Sequence, residues 1–299
     1  MKRRIRTLSC LLAVLFLGAG CQDNTHSTAS LDAPLVIHRG NGGEPGSLDP
    51  ALAEDLHAFN ILSDLYEGLI AESASGELVP GVAEAWTISD DGLVYLVSLR
   101  DNARWSYGDT VTSEDFVRAF RRVASPNTAS AYGSLLEPIQ NFSKVLDGQL
   151  PAEQLGVSAV GKFSLAIRVR EPTPHFPALL AMPIAFPIHE SAAASGTFSD
   201  PKHFVGNGAY MLAAYSPGAP TTLRASPTYW DAVSVAVDEI VYFPIVNPHT
   251  EFNMYRAGEI DITHNIPSEH LRSLKETVPE QIRIAPFLAL YYLAFDLTE

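Results

Sequence analysis

Cysteine is nearly absent: the 299 residues contain two, Cys10 and Cys21. Both lie in the N-terminal segment, so the body of the chain carries none. That excludes a disulfide framework and a thiolate metal site there. Beyond the N-terminus, no apolar run approaches the roughly eighteen residues of a membrane-spanning helix. Basic charge is also scarce, with 20 Lys and Arg against 34 Asp and Glu and a net charge of −14. Four of the bases, Lys2, Arg3, Arg4 and Arg6, stand in an acid-free start, which leaves 16 against 34 and a body near −18. Such a surface repels phosphate backbones, so no nucleic-acid partner is expected.

Enzyme signatures are missing too. The chain has no Gly-x-Ser-x-Gly elbow and no His-Glu-x-x-His, and no two histidines stand at i, i+4 on an expected helix. Gly40, Gly42 and Gly43 follow an expected strand and could suggest a dinucleotide loop. The segment EPGSLDP that follows contains two prolines and cannot open the helix such a loop needs. A carboxylate pair for glycoside chemistry cannot be recognised by spacing alone. No catalytic residue, cofactor or metal set is therefore expected.

What is present is apolar material. At 46% hydrophobic and 18% charged residues, the chain can build one large core or two ordinary ones and is not disordered in general. Its 21 prolines and 20 glycines point to many turns rather than a helix bundle. Residues 1–20 carry the bases and then an apolar run from Leu8 to Gly20. At about 1.5 Å per residue that run is too short to cross roughly 30 Å of hydrocarbon, so it reads as an export signal. Small residues and then Cys21 follow, which resembles a lipoprotein signal with Cys21 as the acylated residue. The leucine usual three places before that cysteine is Gly18 here, with Leu17 one place further back. A plain secretory signal is the alternative. Residues 21–34 read as a lipidated, flexible tether.

Strands are expected at 35–39, 93–99, 165–169, 237–243 and 282–295. Residues 54–69 have helical spacing, with Leu56, Phe59, Leu62, Leu65 and Tyr66 on one face. A second helix opens at Thr112 and buries Phe116, Ala119, Phe120 and Val123. Further helices are expected at 248–257 and 267–275, in a mixed α/β (α+β) class. Trp105, Asp109 and Phe116 read as scaffold, Asn207–Gly208–Ala209 as a tight turn into a strand, and Tyr229 and Trp230 as packing residues at a turn.

Six runs together resemble the family 5 solute-binding proteins of bacterial peptide ABC importers, in their oligopeptide-binding branch. They are GGEPGSLDPALAED at 42–55, the block from DLYEGL to TASAY at 64–132, VGNGAYMLAAY at 205–215, PTYWDAV at 227–233, MYRAGEIDIT at 254–263 and IAPFLALYYLAFD at 284–296. They stand in the family's order and cover nearly everything from Val36 to Asp296. The resemblance implies a two-lobed fold like that of periplasmic binding proteins. One lobe would be built from 35–65 and 191–299, with a smaller domain, 66–190, inserted. Family members are nearly twice as long, so the resemblance also implies a product truncated before the third domain and impaired.

The implied function is that of a non-enzymatic, extracytoplasmic component of an ABC oligopeptide importer. It would hold peptides by backbone hydrogen bonds and deliver them to a permease driven by ATPase subunits. It would be lipid-anchored on the periplasmic side of the cell envelope, or soluble in the periplasm. Alternatives are a scaffold or interaction lipoprotein without uptake, and an exported hydrolase with no visible nucleophile. Residue by residue, the resemblance places Glu54, Leu56, Tyr132, His264, Asn265 and Tyr292 on the peptide cleft. At the position of His264 the family often has tyrosine. Four of them have a structural alternative: a helix N-terminus for Glu54, a loop anchor for Tyr132, a surface histidine for His264 and strand core for Tyr292. The acid that pairs with a peptide's amino group would belong to the lobe that lies beyond this sequence.

Overall fold

The structure, a computed structural model, describes residues 33–284 together with Leu293 and Phe295. In chain order its strands and α-helices are β1 (Val36–Gly40), α1 (Leu56–Leu65), β2 (Ile70–Glu72), β3 (Leu78–Pro80), β4 (Ala83–Ile88), β5 (Val94–Leu99), α2 (Ser113–Val123), α3 (Phe142–Leu146), β6 (Val157–Gly161), β7 (Ser164–Arg168), α4 (Phe176–Leu179), α5 (Glu190–Ser195), β8 (Tyr210–Ala214), β9 (Thr221–Ala225), β10 (Glu239–Phe243), α6 (Pro248–Ala257) and α7 (Leu271–Thr277). Among the described residues no helix is long and apolar enough to cross a membrane.

One four-stranded sheet has the order β1-β10-β9-β8. Its β1 and β10 run parallel, with Val36 opposite Glu239, while β9 and β8 continue it antiparallel. A second four-stranded sheet, β4-β5-β7-β6, is antiparallel throughout, and β2 and β3 form a separate pair. The first sheet thus draws on both ends of the described chain, and the other two are built from the stretch between. The mixed α/β class is as expected.

Local sequence explains most elements. Thr112 opens α2, its N–H and hydroxyl donating to Asp115 Oδ2 at 2.8 and 3.0 Å. That carboxylate sits where the helix end is positive. Phe116, Ala119, Phe120 and Val123 recur at helical spacing and are all buried. In β5 burial alternates, so Tyr95, Val97 and Leu99 are covered while Leu96 is exposed. The strand expected over 93–99 is therefore buried on one face only, as an antiparallel sheet with a wet side allows. Trp105 and Phe116 are buried core, which suits the scaffold reading, whereas the Asp109 side chain is exposed.

The expected helix over 54–69 is shorter and rotated. Asp55 caps α1, its Oδ1 accepting the Ala58 N–H at 2.8 Å. The buried face is Ala58, Ile61, Leu62 and Leu65, and Leu56 lies outside it. The helix ends because residues 66–69 are drawn out into extended backbone by distant partners. Val82 N–H donates to Gly68 O at 2.9 Å and Gly81 N–H to Leu69 O at 3.1 Å. The helix expected over 267–275 begins only at Leu271. The strand expected over 282–295 lies mostly outside the described residues.

Candidate functional site

The C-terminal end of β1 delivers the chain to the first turns of α1, and Asn41 fixes the junction. Its side chain is buried. Nδ2 donates to Gly43 O at 3.2 Å and His57 O at 3.0 Å, and Oδ1 accepts from Asn60 Nδ2 at 3.0 Å. The Asn41 carbonyl lies 2.5 Å from His57 Nδ1. An amide side chain offers two donors and two acceptor sites, and three of the four are used here, to tie Gly43, His57 and Asn60 together, while the backbone carbonyl meets the His57 ring.

His57 in turn meets His264, with ring centroids 5.6 Å apart. The segment carrying His264 and Asn265 is held from beneath by Glu251, which is 1% exposed. Its carboxylate accepts the His264 N–H at 3.1 Å and the Asn265 N–H at 3.3 Å. Gly40 makes room for it: a Cβ there would stand 1.6 Å from Glu251 Oε1. Burial pushes the Glu251 carboxyl up, and the two backbone hydrogen bonds and Arg39 pull it part of the way back. Burial, then the charges of His57 and Arg39, push the His264 imidazole below its ordinary value.

On the opposite flank of α1, Phe59 meets Tyr132 at 6.0 Å between centroids, and Tyr132 is 37% exposed. The Tyr132 loop is pinned nearby by Ser130 Oγ donating to Ala51 O at 2.6 Å. His57 and Phe59 are two residues apart, about 200° around a helix, so they project to opposite sides. Glu54 and Leu56, just before and at the start of α1, are both exposed. The amides of Leu56 and His57 have no partner among the described residues, as first-turn N–H groups lack helical acceptors.

Five residues expected from sequence therefore gather about one helix start: Glu54, Leu56, Tyr132, His264 and Asn265. The other two, Tyr292 and Cys21, lie outside the described residues. The residues that hold this cluster are Asn41, His57, Phe59 and Glu251; the sequence marks Phe59 only as part of an apolar helix face and gives no sign of the other three. Glu251 reads locally as one more acid in a helix first turn, and nothing near it in the chain marks its burial. A cavity lies between α6 and α7, and none of the expected residues lines it.

The family model described as "Bacterial extracellular solute-binding proteins, family 5 Middle" matches residues 77–299. Over 296 residues the chain is 36% identical to the periplasmic oligopeptide-binding protein OppA of Salmonella typhimurium, covering 97% of this chain and 54% of that protein. It is 33% identical to the periplasmic murein peptide-binding protein MppA of Escherichia coli, over 99% of this chain and 56% of that one. Among solved structures, OppA of Burkholderia pseudomallei superposes with a TM-score of 0.79 at 35% identity, covering 82% of this chain and 49% of its own. Haemophilus influenzae OppA in complex with RPPGFSPFR gives 0.79 at 32% identity, over 82% and 49%. The chain spans about half the length of the curated relatives it matches. The family model runs along most of the chain and the likeness to solved periplasmic binding proteins extends it through the fold; the chain belongs to the bacterial extracellular solute-binding proteins of family 5.

Proposed function

We propose that this chain supplies one wall of a peptide-binding cleft, in the extracytoplasmic receptor of an ABC oligopeptide importer. The observation that carries the reading is the start of α1. Two amides there that have no partner among the described residues stand beside exposed Glu54 and Leu56, with Tyr132 on one flank and His264 on the other. Unpaired backbone donors recognise a peptide's carbonyls or carboxylate without reading its side chains, which suits a receptor of broad specificity. Glu54 offers acceptor oxygens to peptide N–H groups, and Tyr132 a half-covered ring for a side chain to lie on. The names of the relatives, which bind oligopeptides and murein peptides, support the ligand class. Binding and release need no covalent step.

The test is calorimetry with tri- to pentapeptides on the purified chain, two site variants and one control. Glu54→Ala and Tyr132→Ala are each expected to weaken binding about tenfold, the loss of one hydrogen bond or ring contact. Val233→Ser, at a side chain that is 97% exposed, should leave affinity unchanged. Affinity unaltered in both site variants, or no peptide binding by the chain, would remove the reading.

Attachment to the membrane through acylated Cys21 belongs to the same proposal, supported by the basic start, short apolar run and small residues before that cysteine. Cys21→Ser is expected to move the protein from the membrane fraction to the soluble one. A variant that stays with the membranes would leave the anchor without support.

A further inference from the structure

We propose that His249, Glu269 and His270 form a binding site for a divalent transition-metal ion. One imidazole comes from the first turn of α6, and an imidazole and a carboxylate come from the turn that leads into α7. One ligand atom from each residue lies within 4.8 Å of the others, and His249 Nε2 is 3.5 Å from Glu269 Oε1. Bonds of about 2.0–2.1 Å in a tetrahedral shell put ligand atoms roughly 3.3 Å apart. The three groups therefore need to close by no more than about 1.5 Å, within reach of side-chain rotation.

Two of the three are already oriented. Asn247 Oδ1 accepts the N–H of His249 at 2.9 Å and of Thr250 at 3.0 Å, which sets the first turn of α6. His270 stacks on Phe252, with centroids 4.8 Å apart and planes 23° from parallel. Phe252 is buried and sits three positions after His249, on the same side of the helix. The stacking thus brings His270 to the face from which His249 projects. The turn itself is closed by His270 N–H donating to Pro267 O at 3.0 Å.

Two imidazoles and one carboxylate form a donor set of intermediate softness. It suits Zn²⁺, Ni²⁺ or Cu²⁺ and not the all-oxygen shells of Mg²⁺ and Ca²⁺. Three protein ligands leave a coordination position for water or for a donor atom of another molecule. The ion would tie the start of α6 to the start of α7. Two residues further along α6 is Glu251, whose carboxylate holds the His264 and Asn265 amides. Metal would therefore stiffen the support under one flank of the proposed cleft, although the metal site itself does not depend on peptide binding.

The test uses the full, untagged chain after chelator treatment. Titration with ZnCl₂ in a calorimeter is expected to show one equivalent bound, with a rise of several degrees in the unfolding midpoint; MgCl₂ should give neither. His249→Ala and Glu269→Gln are each expected to weaken Zn²⁺ binding about a hundredfold or more, since even outer-shell changes cost 10–100-fold. Both sites are exposed, so both variants should keep the metal-free midpoint. His203→Ala, at an exposed histidine paired with Asp200, should bind as the parent does. Co²⁺ serves as a second readout, with a visible ligand-field band in the parent that His249→Ala loses. No heat and no band in the parent, or undiminished binding in His249→Ala, would overturn the proposal.

Discussion

Replacing Gly208 with alanine is expected to cost about 3 kcal/mol or more, the upper end for an overpacked core. For a body of this size that is a fall of roughly 6–12 °C in unfolding midpoint. Gly208 is buried where the segment leading into β8 crosses the end of α1, and its N–H donates to Leu65 O at 3.0 Å. A Cβ there would stand 2.4 Å from Asp64 O, 2.5 Å from Leu65 C and 2.6 Å from Tyr66 N. All three are backbone atoms, so no side chain can swing aside and the two segments must part. Gly148 is the contrast: its φ is +69° and a Cβ there would meet nothing within 4 Å. Gly148→Ala carries only the left-handed strain of about 1–2 kcal/mol. Thermal unfolding of the two variants side by side checks the argument, and equal losses would show that close approach is not what Gly208 supplies.

Glu67→Ala is expected to destabilise by about 2–5 kcal/mol, because it strands two donors at once. Glu67 Oε1 accepts the Tyr229 hydroxyl at 2.6 Å, and Oε2 accepts Trp230 Nε1 at 2.7 Å. The backbone of Glu67 is gripped by Asn207, whose Oδ1 accepts its N–H at 3.2 Å and whose Nδ2 donates to its C=O at 2.9 Å. Arg100 lies 3.8 Å over the Trp230 ring, with its Nε donating to Gly81 O. Glu67, by its carboxylate and its backbone together, thus joins its own stretch of chain to those of Asn207 and of Tyr229–Trp230. Glu67→Gln keeps the shape but turns an NH₂ toward one of the donors, so it should lose about half as much. Tyr229→Phe combined with Glu67→Ala should cost less than the two singles added, since they share a partner.

The same residue makes a pH prediction. Burial pushes the Glu67 carboxyl above its ordinary 4.5, and the Tyr229 and Trp230 hydrogen bonds and Arg100 only partly oppose it. Between the ordinary and the raised value the folded chain binds more protons than the unfolded one. The contribution is therefore greatest below 4.5 and fades as pH rises through the folded value. The stability of the parent relative to Glu67→Gln should shrink from pH 4.5 upward in urea titrations. A difference that stays flat across this range would mean that Glu67 is ionised throughout.

Turn chemistry and periodicity made much of the fold legible. Thr112 and Asp115 mark the start of α2, Pro248 marks that of α6, and the apolar spacing of Phe116, Ala119, Phe120 and Val123 names its own buried face. Where a segment's partners are distant, the local pattern misled. Leu56 fits the apolar stripe of a helix over 54–69, yet it faces outward because the strand-like pairing of 66–69 ends the helix early and its core contacts begin at Ala58. Tyr229 and Trp230 read as packing, and they do pack, but they also hold Glu67. Asn207 and Gly208 read as a turn, whereas one serves as a hydrogen-bonding rung and the other as the floor of a crossing. Of the candidate site, Glu54, Leu56, Tyr132, His264 and Asn265 came from resemblance, while Asn41, His57 and Glu251, which position them, carry no local mark.

By itself the sequence determined the cysteine-free acidic body, the mixed α/β class and the family pattern. These depend on composition, on short-range periodicity and on the order of motifs along the chain. Only the tertiary structure decided that β10 lies parallel beside β1, that Glu251 lies under Gly40, and that His249 and His270 share one face. Alternation and helical spacing report which side of a segment is dry. They say nothing of which distant segment dries it. That choice comes from simultaneous packing and hydrogen-bond satisfaction across the whole core, where a buried carboxylate is tolerated only if amides from another part of the chain arrive to meet it.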